Sequence, residues 1–197
     1  MYLTKSPRPR LMPDRKFPAY AYLPGRFPHP VRHPLGHSYG LETGKPSPPF
    51  NSELDELGWG IDPFNHGYYW EAHEAWEGLW QSAKATPQLR LIYKGLILLA
   101  AAGVKVREGK LHPARRHAAR AAVALRIAAS TPVCTPLSSV LGTEMSKLAD
   151  YAAAVSRLDG DHVVAKLDGS MAVFARLPGP FNDRSLLSSA AGSNQTE

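Results

Sequence analysis

Apolar residues recur at helical spacing along most of the chain, and proline or glycine marks each break. Asp62-Pro63 reads as a cap followed by proline at the first helical position, where a missing N–H costs nothing, and predicts a helix to about Ala83. Thr86-Pro87 repeats the signal. Leu89, Leu91, Ile92, Leu96, Ile97, Leu98, Leu99 and Val104 then leave almost no polar face, which predicts a central, buried second helix ended by Gly109. His112-Pro113 opens a third, whose Ala114, Ala118, Ala121, Ala122 and Leu125 form a small-residue face suited to close packing, with Arg115, Arg116 and Arg120 mostly outside. Pro132 and Pro136 interrupt the pattern, and Met145, Leu148, Ala149, Ala152 and Val155 predict a fourth helix over roughly 143–158. Residues 162–167 and 171–177, around Asp168-Gly169, suggest a hairpin with poor alternation.

The expected fold is all-α, an antiparallel bundle of about four main helices over residues 51–160. Most of the 18 prolines fall before residue 50, where few aliphatic residues are available for a core, so residues 1–50 read as an extended Pro/His-rich arm. Residues 161–197 read as an extension, disordered over 188–197.

Composition narrows the class. A single cysteine, Cys134, precludes an intrachain disulfide framework, and the first residues lack the apolar run of a secretory signal, so a cytoplasmic location is expected. The longest apolar run, 95–104, is far shorter than the ~20 residues of a membrane span, so no membrane partner is expected. The net charge of +6 hides a strong segregation. Residues 51–83 carry seven Asp/Glu and no Lys/Arg, whereas 84–130 carry ten Lys/Arg and one carboxylate. An acidic helix beside basic ones predicts internal neutralisation, which makes nucleic acid a less favoured partner; a homo-oligomer is compatible.

The candidate chemistry lies on the first helix. At about 100° per residue, His66, Trp70, His73, Glu77 and Trp80 share one stripe, flanked by Tyr69, Glu74 and Trp76, with Glu71 on the other side. The aromatic surface predicts that this stripe is buried, with Tyr69, Trp70 and Trp80 as the wall of a His/Glu polar site. A buried imidazole and carboxylate need partners. The favoured reading is a structural network in which His73 bonds Glu77 and Lys94 or Arg90 completes the pairing. The second is one divalent metal ion on His73 and Glu77, with His66 or Glu74 as further ligands. The third is metal-free acid–base catalysis with Glu77 orienting His73. His73-Glu74-Ala75-Trp76-Glu77 is not the zinc-peptidase motif, because Glu77 replaces its second histidine. The di-iron Glu-x-x-His pattern fails because Trp70 stands where its carboxylate belongs.

The run Phe64-Asn65-His66-Gly67-Tyr68-Tyr69-Trp70-Glu71-Ala72-His73-Glu74-Ala75-Trp76-Glu77-Gly78-Leu79-Trp80, followed by Lys94-Gly95-Leu96-Ile97-Leu98-Leu99-Ala100-Ala101-Ala102, resembles the domain of unknown function 309 family of bacteria and archaea. The HxxxExxW core and the Asn-x-Gly run before it carry the resemblance, over about residues 60–130. It implies a small helical bundle and a suggested metal role for His73 and Glu77, with no established activity. Family members carry glutamines on the second helix where this chain has Lys94 and Leu98. An ammonium near Glu77 would oppose a dication and favour a salt bridge.

In the arm, His29, His33 and His37 recur every fourth residue, but the intervening prolines forbid the helix that would align them. The arm is expected to wrap the bundle in solvent; the sharper alternative brings His29 or His37 over His73. The function expected from sequence is a small helical domain with a buried His/Glu site that conditionally takes a divalent metal, and the balance leans against an enzyme. Two alternatives stand beside it. One is an interaction module whose basic third helix, Arg115, Arg116 and Arg120, docks an acidic protein or nucleic acid. The other is a metal-dependent hydrolase-like enzyme.

Overall fold

The first helix begins ten residues earlier than the proline signal suggests. Ser52 is its N-cap, the hydroxyl accepting from Asp55 N at 3.1 Å, and Glu53, Asp55 and Glu56 place negative charge against the helix dipole. In this computed structural model, which describes residues 9–40, 52–131, 145–160 and 172–177, α1 spans Glu53–Asn65 and contains Pro63 near its end. The chain reverses at Gly67, whose φ of +87° is costly for any residue with a Cβ, and α2 follows over Tyr69–Ser82. One expected helix is therefore two. Asp62 caps nothing: it lies in the last turns of α1, and its buried carboxylate accepts Leu11 N at 2.7 Å and Met12 N at 2.8 Å.

The remaining helices follow the apolar pattern: α3 spans Pro87–Arg107, α4 Leu111–Ser130 and α5 Met145–Val155. The result is an all-α bundle, with no strand among the described residues. The central α3 packs against both α2 and α4, and α4 against α5. Two glycines of α3 permit that proximity. A Cβ on Gly103 would lie 2.5 Å from the Tyr69 ring on α2, and one on Gly95 would lie 2.5 Å from Leu125 Cγ on α4. At the far end, the buried Gln88 amide donates to Ala128 O and Thr131 O at 2.9 and 3.0 Å, tying the start of α3 to the C-terminus of α4. No helix among the described residues is long and apolar enough to cross a membrane.

The arm over residues 9–40 has no helix or strand, but it is neither drawn out nor fully solvated. Turns fold it back repeatedly, and Leu11, Ala21, Tyr22 and Leu23 are buried. Of the suggested hairpin, 162–167 lies outside the described residues. Residues 172–177 form no strand: Tyr69 Oη accepts Val173 N and Phe174 N at 2.9 and 3.1 Å, and Asn65 Oδ1 accepts Leu177 N at 3.0 Å. These side-chain bonds replace a ladder and bring Val173, Phe174 and Leu177 into the core. The expected tail, 188–197, also lies outside the described residues.

Candidate functional site

The break at Gly67 changes which side of α2 faces inward. Tyr69, Ala72, Trp76 and Leu79 form the buried row, whereas Trp70, His73, Glu77 and Trp80 lie half-buried along its edge. The stripe expected to be buried is the true core row displaced by one residue, which is about 100° of helix rotation. Tyr69 is accordingly a core residue rather than a pocket wall, fully buried against Phe64 and Phe174. His66 belongs to the C-terminus of α1, where Nδ1 meets Asp62 O at 2.7 Å; it is not among the clustered metal-ligating groups of α2.

Along that edge, three side chains converge. His73 Nδ1 stands 3.6 Å from Glu74 Oε1 and 3.8 Å from Glu77 Oε2, and one ligand atom from each residue falls within a 4.8 Å cluster. His73, Glu74 and Glu77 side chains are 30%, 32% and 42% exposed, so the cluster opens to solvent. The Nδ1 atom itself is buried and has no hydrogen-bond partner. The separations are too long for hydrogen bonds. They lie somewhat beyond the ~3.4 Å edge of a tetrahedral site with bonds near 2.1 Å, so the three side chains would have to close in to share one centre.

The cationic partners expected for this cluster are elsewhere. Lys94 is exposed and makes no ion pair among the described residues, and Arg90 stacks over the Trp80 ring at 4.3 Å. Of the expected network, His73 and Glu77 come within ion-pair range at 3.8 Å, but neither Lys94 nor Arg90 completes it among the described residues. Trp80 is covered by Arg90 rather than lining a buried cavity.

Sequence reasoning placed Glu71 on the outside, but it is only 6% exposed. Its Oε1 accepts Tyr22 N at 2.8 Å and lies 3.1 Å from His37 Nε2, while Oε2 is buried without a partner. The His37 ring and the His29 ring meet Trp70 edge-on, with centroids 6.3 and 5.7 Å away. His29 Nδ1 accepts from Val31 N and Arg32 N. His29 and His37 thus gather at Trp70 and Glu71, two to three residues before His73, and no described contact carries either of them to His73. Arg107 closes this end, donating from Nη1 to Gly67 O at 3.0 Å; burial holds its pKa below the ordinary arginine range, opposed by the charge of Glu71.

One further histidine escaped the sequence reading. His117, on α4, is half-buried with Nδ1 lacking a partner, and it lies within electrostatic range of His73. Burial first, then Arg120, Lys105, Arg116 and His73, hold its imidazole below the usual value. The available signal was its place between Ala114, Ala118 and Ala121, at the border of the packed face of α4. The basic surface of α4 is smaller than its arginine count suggests: Arg115 Nε donates to Leu158 O at 2.7 Å, and Arg126 pairs with Asp150 at 3.6 Å.

Fold and site together define an all-α bundle with an open His/Glu/Glu cluster on the edge of its second helix. Residues 58–117 match the model of the family described as Domain of unknown function (DUF309), consistent with a domain of that family from α1 into α4. No curated protein and no solved structure matches the chain significantly.

Proposed function

We propose that this is a metal-binding helical domain in which His73, Glu74 and Glu77 hold one divalent cation at the edge of α2. The observation that carries the reading is the His73 Nδ1 atom: buried, unbonded, and 3.6 and 3.8 Å from two carboxylate oxygens. A shielded ring nitrogen within ion-pair range of two carboxylates, yet hydrogen-bonded to neither, supports a position that a divalent cation can fill. One imidazole with two carboxylates favours zinc, manganese or ferrous iron over calcium or cuprous copper. Three ligands from one stretch of helix leave the outer positions open to water or a ligand, since the cluster faces solvent. The same openness places the domain between a metal-dependent enzyme and a metal-dependent binding module, and the solvent-facing triad supports metal binding in either.

The test is metal uptake by untagged protein dialysed against dilute zinc or manganese, with His73→Ala and Glu77→Gln as controls and circular dichroism to verify their helicity. One equivalent in the wild type, with affinity reduced at least about tenfold in each folded variant, is expected. Sub-stoichiometric uptake in wild type and variants alike would sink the reading.

A further inference from the structure

The large apolar side chains that the described helices leave exposed are both on α4: Val123, 56% exposed, and Ile127, 48%. They stand one turn apart. At about 100° per residue they fall within about 60° of Arg116 and Arg120, so the four side chains make one stripe along roughly three turns of the helix. Arg116 and Arg120 are exposed and make no ion pair among the described residues. The flank of the stripe is already engaged: Arg115 Nε donates to Leu158 O at 2.7 Å, just past α5, and Arg126 pairs with Asp150 of α5 at 3.6 Å. The inner side of α4 packs on α3, with Leu125 against Gly95. What remains is a solvent-facing ridge, basic in its first half and apolar in its second.

Valine and isoleucine are poorer helix formers than the alanines at other exposed positions of α4, Ala119 and Ala129, and half-exposed they recover little of that cost through burial. A single exposed apolar residue is ordinary. Two in line one turn apart, continued by two unpaired guanidinium groups, have the spacing with which one helix receives another. We infer that this stripe docks an acidic amphipathic helix of a partner protein, its apolar seam on Val123 and Ile127 and its carboxylates on Arg116 and Arg120. The charge selects the occupant. No carboxylate occurs in α4, so a second copy laid face to face on the same stripe brings Arg116 and Arg120 no counter-ion, whereas an acidic segment supplies one to each. A nucleic-acid strand pairs with the guanidinium groups only and leaves Val123 and Ile127 uncovered. It also needs a longer basic track, and Arg115 and Arg126, which would extend one, are bonded within the fold.

The test titrates metal-free protein into two labelled designed peptides of equal negative charge and reads fluorescence anisotropy. One peptide carries leucines along a single helical face between flanking glutamates; in the other, glutamines replace those leucines. Val123→Ala with Ile127→Ala, and Arg116→Gln with Arg120→Gln, are the two double variants, their helicity verified by circular dichroism. The wild type should bind the leucine peptide at least about tenfold more tightly than the glutamine peptide, and each double variant should lose about tenfold for it. Added salt should weaken the wild type and leave the arginine variant nearly indifferent. Equal affinity for the two peptides, or unchanged affinity in either double variant, would overturn the inference. So would the lack of saturable binding, tighter binding of an oligonucleotide of equal charge, or a wild-type dimer that Val123→Ala with Ile127→Ala abolishes, which would make a second copy the occupant. Because no metal is present, the result is unaffected by whether α2 takes a cation.

Discussion

Single atoms decide much of this molecule. The Tyr69 hydroxyl accepts two backbone N–H groups from residues more than a hundred positions away, inside the core. Tyr69→Phe keeps the ring and strands both donors, so a loss of about 2–3 kcal/mol is expected in urea unfolding, far more than the removal of an exposed hydroxyl. His117 gives a pH signature. Its folded pKa lies below the ~6.5 of the unfolded chain, so between those values the unfolded state binds a proton that the native state refuses. Stability should therefore rise with pH through that interval and fall on acidification. His117→Gln should narrow the gap between unfolding free energies measured at about pH 5 and about pH 7.5. The residue types at the edge cluster were legible in the sequence; its surroundings were not. Whether Lys94 reaches Glu77 depends on side-chain direction, and Glu71 is buried only because a distant arm covers it.

At the scale of helices, α3, α4 and α5 could be read almost to their ends, since proline and glycine punctuate an uninterrupted period. The boundary of α1 and α2 could not. Asp62-Pro63 carries a valid start signal, but Ser52 supplies another, and the stronger evidence of a turn was Gly67 in the middle of an aromatic run. Treating Trp70 and Trp80 as markers of the buried face then shifted the inferred core row by one position. Tryptophan covers a rim as readily as it fills a core, and the small Ala72 was the better marker. The α1–α2 contact tests this packing. Gly60→Ala should gain up to about 1 kcal/mol of helix propensity, but its Cβ would fall 2.1 Å from Trp76 Nε1. The overlap, costing about 1–3 kcal/mol or more where an indole must move, dominates, and a net loss in thermal or chemical unfolding is expected.

For the molecule as a whole, charge segregation was visible in sequence, but its resolution differs from the expected one. The carboxylates of α1 and α2 do not simply neutralise α3 and α4: Asp62 and Glu71 bind the arm, and Glu74 and Glu77 face solvent beside His73. Asp62→Ala, which leaves Leu11 N and Met12 N without their acceptor, should cost about 3 kcal/mol while the helical circular dichroism at low temperature is retained.

That attachment also orders events in time. Each of the three arm amides accepted by Asp62 and Glu71 is bonded 49–51 positions along the chain, and the acceptors are in place only once α1 and α2 have formed. The arm is therefore expected to dock late, and its release to break these bonds and uncover Leu11 and Leu23 while the helices stay formed. In native-state hydrogen exchange, the amides of Leu11, Met12 and Tyr22 should open together, well before those of central α3. A partner or modification that captures the arm would then change the surroundings of Trp70 and leave the bundle folded.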